Sequence, residues 1–111
     1  MNVQSEDLQQ RLGFIERTIG HAMRACHSDS NVPDELKDYV HQLGQRSCQA
    51  RRALQSRDEH GVRQSVDDLA RISDQAQNKI HPSDGMNYEV KSAVILTHIE
   101  LSALRYQLED A

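Results

Sequence analysis

Hydrophobic residues recur along this chain at alternating steps of four and three, the spacing that stacks side chains on one face of an α-helix. In the first segment Leu8, Leu12, Ile15, Ile19, Ala22 and Cys26 follow this rule, and the polar run Ser28-Asp29-Ser30-Asn31 ends it. Pro33, Asp34 and Glu35 then have the chemistry of a helical first turn: a proline whose missing N–H costs nothing there, followed by acids that complement the helix dipole. A second helix is predicted from about Pro33 on Leu36, Val40, Leu43, Ser47, Ala50 and Leu54, with Tyr39 beside the stripe. Ser56-Arg57-Asp58-Glu59 matches a capping box, which predicts a third helix from about Arg57. Its stripe is Val62, Val66, Leu69, Ser73, Ala76 and Ile80, with Ile72 adjacent, and Pro82 stops it. Gln55 to His60 contains no Gly or Pro, so one continuous helix through this joint is the alternative. After the loop Pro82-Ser83-Asp84-Gly85, a fourth helix is predicted from about Met86 to Glu109 on Val90, Val94, Thr97, Leu101, Leu104 and Leu108.

Four helices of roughly 22 to 25 residues, joined by short loops, predict an all-α, antiparallel up-down-up-down four-helix bundle. No linker, low-complexity stretch or repeat beyond the heptads divides the chain, so residues 1–111 are expected to form a single helical-bundle domain. Composition agrees: with one Phe, three Tyr and no Trp, the core must be aliphatic, and five Gly and two Pro are too few for a many-stranded sandwich.

Charge narrows the partners. A formal net charge of −4 lacks the electrostatic footprint of a general nucleic-acid binder, so no nucleic-acid partner is expected. Residues 1–7 show neither a basic nor an apolar targeting region, and the longest aliphatic run, Val94-Ile95-Leu96, cannot span a bilayer. A cytoplasmic protein with no membrane partner is the expectation. One local basic cluster, Arg46, Arg51, Arg52, Arg57 and Arg63, surrounds the second turn. The up-down topology brings Glu6, Asp7, Glu109 and Asp110 to the same end, where they could neutralise it or leave it for an anionic partner.

Candidate chemistry is sparse. Five of the six histidines, His21, His27, His41, His60 and His81, fall one or two residues outside the stripes, and only His98 borders the core. No Glu-x-x-His occurs; Asp38-Tyr39-Val40-His41 comes nearest and lies on an outer face, so no metal and no cofactor are expected. His27 and His81 should share one end of the bundle. Cys26 and Cys48 form no CxxC pattern and sit too far apart along neighbouring helices for a disulfide, and neither makes a nucleophile. His21-Ala22-Met23-Arg24-Ala25 distantly resembles the His-x-x-Lys-Gly pattern of histidine phosphotransfer domains, which are helical bundles. Arg24 stands in place of the lysine and Ala25 in place of the glycine that lets a partner approach the ring. The resemblance implies His21 as a phosphate acceptor; the residues themselves read as a solvent-facing helical histidine.

Helix four carries a second ladder, Tyr88, Ser92, Ile95, Ile99, Ser102 and Tyr106, at the same steps, with Leu96 beside it. A second apolar stripe means a second contact, either with another molecule or within a bundle that holds helix four more deeply. Its order is palindromic about Thr97, which suits the self-complementary interface of a two-fold homodimer. On helix one, Gly13 and Gly20 lie next to Phe14 and His21 on an outer face. Each internal glycine costs a helix about 1 kcal/mol relative to alanine, which suggests a close contact, with Phe14 either docking another helix or widening the core. The sequence therefore reads as a non-enzymatic protein-interaction module, a small adaptor or regulator that pairs through helix four and binds an unidentified protein partner. A histidine phosphotransfer or metal-binding bundle is the competing class.

Overall fold

Each of the four ladders becomes the buried stripe of a helix. The computed structural model describes residues 5–81 and 85–110, and within them α1 spans Ser5–Ser28, α2 Asp34–Gln55, α3 Glu59–Gln77 and α4 Tyr88–Asp110. Every ladder position is buried except Ile80, which is half-buried and lies beyond the end of α3 at Gln77, so the last rung expected of the third helix falls outside it. Among the described residues there is no strand and no helix long and apolar enough to cross a membrane.

The helices form a closed ring in which α1 packs on α2 and α4, and α3 packs on α2 and α4. Cross-helix polar contacts give the directions. Gln107 late in α4 donates to Asp7 early in α1 at 3.2 Å, and Arg105 pairs with Asp67 in the first half of α3 at 3.1 Å. Lys79, just past α3, reaches Glu35 at the start of α2 at 3.1 Å, and Arg51 late in α2 reaches Glu16 of α1 at 3.2 Å. Neighbours are thus antiparallel, the up-down-up-down arrangement that short connections favour.

The core changes character along its length. Toward the end holding both termini it is built of Leu8, Leu12, Leu54, Leu69, Leu104 and Leu108 with Val62 and Val66. Toward the opposite end, Ala22, Ala25, Ala76 and Ala93 alternate with Val40, Val90 and Val94, and Val32 and Met86 close it from the loops. Small residues allow the helices to approach closely there. At Gly44 a Cβ would stand 3.0 Å from Met23 Sδ, tighter than ordinary packing, so the glycine lets α2 rest against α1. The polar ladder members satisfy themselves: Thr97 Oγ1 donates to Ala93 O at 2.7 Å, Ser47 Oγ to Gly44 O at 2.8 Å and Ser73 Oγ to Ala70 O at 2.8 Å.

The joint between α2 and α3 is a turn, but Ser56 is not its cap. Arg57 N donates to Leu54 O at 3.1 Å and Asp58 N to Ala53 O at 2.9 Å, the paired bonds of a Schellman stop. Arg57 occupies the left-handed position of that motif with φ 56°, and Ser56 belongs to the end of α2. The N-cap of α3 is Asp58, whose Oδ1 accepts from Gly61 N at 2.9 Å, and the helix begins at Glu59 instead of Arg57. The serine loses the capping role because the left-handed residue needed to end α2 falls between it and α3. Pro33 is likewise the residue before α2, extended at φ −61° and ψ 147°. The segment Pro82-Ser83-Asp84 expected to form the last loop lies outside the described residues. On its far side Asn87 Oδ1 accepts from Glu89 N at 2.8 Å at the start of α4.

The two loops at the alanine-rich end are tied together. Asp29 Oδ2 accepts from Asn87 N at 2.7 Å, and Asn31 Nδ2 donates to Gly85 O at 3.1 Å.

The turn gives two opposite predictions. Arg57→Gly removes a left-handed non-glycine residue and should stabilise the fold by about 0.5–1 kcal/mol, while Asp58→Ala, which strips the cap, should cost about 1 kcal/mol. Urea unfolding of the two variants against wild type, with an unchanged m value, checks both signs.

Candidate functional site

α4 has two faces and the bundle uses one. Val90, Val94, Thr97, Leu101, Leu104 and Leu108 point inward, leaving the second ladder on the outer surface. Tyr88 is 80% exposed, Tyr106 71%, Ile99 55%, and Ile95 and Leu96 39% each. α4 is therefore not held more deeply by its own bundle, the alternative that would have absorbed this stripe. Ser92 turns its hydroxyl onto its own helix, donating to Tyr88 O at 2.9 Å, and Ser102 is exposed. The face from Tyr88 to Tyr106 is about 27 Å long at the helical rise. Its charged neighbours, Glu89, Lys91, Glu100 and Arg105, fall at helical angles on the flanks, leaving the central line uncharged.

The outer face of α1 divides between two grooves. Phe14, 40% exposed, and the exposed His21 turn toward α4, where with Thr18, Ser92, Ala93 and Leu96 they line a groove of about 400 Å³. Gly13 and Gly20 turn toward α2 and line a different groove of about 770 Å³ with Glu16, Arg24, Arg51 and Leu54. Arg17 borders both. The four α1 residues that share an outer face by helical phase thus belong to two surfaces, because the two neighbouring helices divide that face between them. Phe14 does not widen the core; it extends the exposed apolar strip of α4 onto α1.

The histidines stay apart. His21, His27, His41, His60 and His81 are exposed, and among the described residues no three His, Cys, Asp or Glu side chains come together as a metal site. His27 and His81 do lie at the same end, the one carrying the α1–α2 and α3–α4 connections. His98 is half-buried, with Nδ1 3.3 Å from Ser73 Oγ, whose hydroxyl also donates to Ala70 O. Among the described residues, Asp7 and Glu109 find partners outside the basic cluster at the α2–α3 turn. Asp7 pairs with Arg11 at 3.5 Å and Glu109 with Arg105 at 3.3 Å, while Arg51 pairs with Glu16 of α1.

Both cysteines are free, Cys26 buried and Cys48 exposed. Burial pushes the Cys26 thiol above its ordinary range, outweighing the opposite pull of Lys37. Iodoacetamide at neutral pH should accordingly modify Cys48 within minutes and Cys26 only after denaturation, read as one and then two adducts by mass spectrometry.

No protein-family model, no curated protein and no solved structure matches the chain.

Proposed function

We propose that this protein is a non-catalytic interaction module that pairs with a second copy of itself through the outer face of α4. The observation that carries this reading is the uncharged strip of Tyr88, Ile95, Leu96, Ile99 and Tyr106, continued onto α1 by Phe14. Exposed aliphatic surface of that length is costly in water, and contiguous patches of this kind mark contact sites.

The choice of a second copy as occupant rests on symmetry and charge. In an antiparallel pair centred on Thr97, Tyr88 shares a level with Tyr106 of the second copy, Ser92 with Ser102, and Ile95 with Ile99. Large residues meet large at the ends and aliphatic meets aliphatic at the centre, as an isologous contact demands. Two copies of a chain with net charge −4 repel, so a contact between them needs a face free of acids, and this strip is one. A two-fold axis perpendicular to the pair keeps both α1 helices on the same side, so Phe14 and Leu96 of both copies form one margin.

Ile99→Glu tests the reading. Ile99 is more than half exposed, so the variant should keep its helicity and its unfolding midpoint at low concentration. At the seam the symmetry places the new carboxylate twice in an apolar contact, so association should weaken at least a hundredfold. Analytical ultracentrifugation from micromolar to millimolar protein should find a wild-type dimer and a mutant monomer. A wild type that remains monomeric throughout defeats the proposal.

A further inference from the structure

The groove between α1 and α2 is nearly twice the volume of the one beside α4, about 770 against 400 Å³, and the proposed pairing does not use it. Its α1 wall is a repeated device: Gly13 is followed four residues later by Arg17, and Gly20 four residues later by Arg24. Each guanidinium lies back over its glycine, with Nη1 of Arg17 3.9 Å and of Arg24 3.6 Å from where a Cβ would stand. These are ordinary separations, so alanine would fit at both positions and would favour the helix more. Nothing inside the fold requires glycine here, whereas a Cβ at Gly44 would press on Met23 Sδ.

The arginines are equally uncommitted. Among the described residues neither Arg17 nor Arg24 has an ion pair or a side-chain hydrogen bond, whereas the groove's carboxylate, Glu16, is held by Arg51 at 3.2 Å. The wider charge distribution agrees: α1 and α2 carry seven Lys and Arg against six Asp and Glu, and α3 and α4 four against eight. The α1–α2 side is close to neutral and the α3–α4 side acidic, so an anionic partner meets the least repulsion on the α1–α2 side.

From this we infer that the α1–α2 groove docks an acidic helix of a partner protein, laid along α1 so that its backbone approaches at Gly13 and Gly20 and its carboxylates meet Arg17 and Arg24. The spacing selects a helix. The two glycine–arginine units are seven residues apart, a rise of about 10.5 Å, which equals the repeat of acids one heptad apart on a helix packed nearly parallel or antiparallel. A single phosphate or small dicarboxylate cannot bridge that distance. An extended nucleic acid would meet the acids of the rest of the surface.

The test uses a fluorescein-labelled 21-residue helical peptide with Glu at every seventh position along one face, and a scrambled peptide of equal composition. Fluorescence anisotropy should show saturable binding to wild type, at least tenfold tighter than to the scrambled peptide and weakened by 0.5 M salt in the manner of charge pairing. Arg24→Gln should weaken it several-fold. The double variant Gly13→Ala/Gly20→Ala is the sharper arm: its melting temperature should rise while peptide affinity falls at least tenfold, a combination that damage to the fold cannot produce. Ile99→Glu should bind the peptide as wild type does, which separates this groove from the α4 strip. Three outcomes overturn the inference: no binding at millimolar protein, equal affinity for the scrambled peptide, or unchanged affinity in the alanine double variant. Tighter binding of a 15-nucleotide single strand than of the peptide overturns the helical occupant.

Discussion

Burial of four aliphatic stripes against one another is the interaction on which the rest of the molecule depends. Leu8, Leu12, Ile15 and Ile19 from α1 meet Leu43, Leu54, Leu69, Leu101 and Leu104 from the other three helices, almost without exposure. Removing one such leucine side chain typically costs 2–5 kcal/mol, a large part of the 5–15 kcal/mol that holds a domain together. The exposed ion pairs that decorate the ring, such as Lys79 with Glu35, add little by comparison. Their value is orientation: they join residues that only an antiparallel ring brings together.

Because the core is one seam per helix, whatever else a helix carries is displayed outside. α4 displays an aliphatic strip, and α1 displays Phe14 on one flank and a glycine–arginine repeat on the other. These surfaces are long, shallow and set by helical phase, which is the geometry suited to contact with other helices.

The sequence made the seams legible because each stripe keeps the same four-and-three step for about 18 residues, and no other regular structure repeats that way. Ser47, Ser73 and Thr97 fit the stripes despite their polarity because each can bond a carbonyl of its own helix. The α2–α3 turn was legible as a turn, but its cap was not. Ser56 and Asp58 are both good caps, and the choice between them depends on which residue takes the left-handed conformation, which Arg57 does without being a glycine. The split of α1's outer face was hidden for another reason. Helical phase gives the angle of Gly20 and of His21, about one hundred degrees apart. Which neighbour stands beside each is a matter of topology. The recurrence of arginine four residues after each glycine was present in the sequence and is the signal that could have marked the α1–α2 groove.

The ring closes between α1 and α4, and that closure differs in kind from the others. Asp7 and Gln107, which join its ends, are 100 residues apart in the chain, whereas α2 and α3 meet through a turn of a few residues. Closing a loop of that length costs about 2 kcal/mol more in chain entropy than closing one of ten residues. The α2–α3 contact is thus the local one in the chain and the α1–α4 contact the non-local one. The strip proposed for pairing lies over this seam, with Phe14 on one side and Leu96 on the other. Pairing there would clamp the two elements that stand farthest apart in the chain, so a neighbouring copy would reinforce the one seam that no short connection ties.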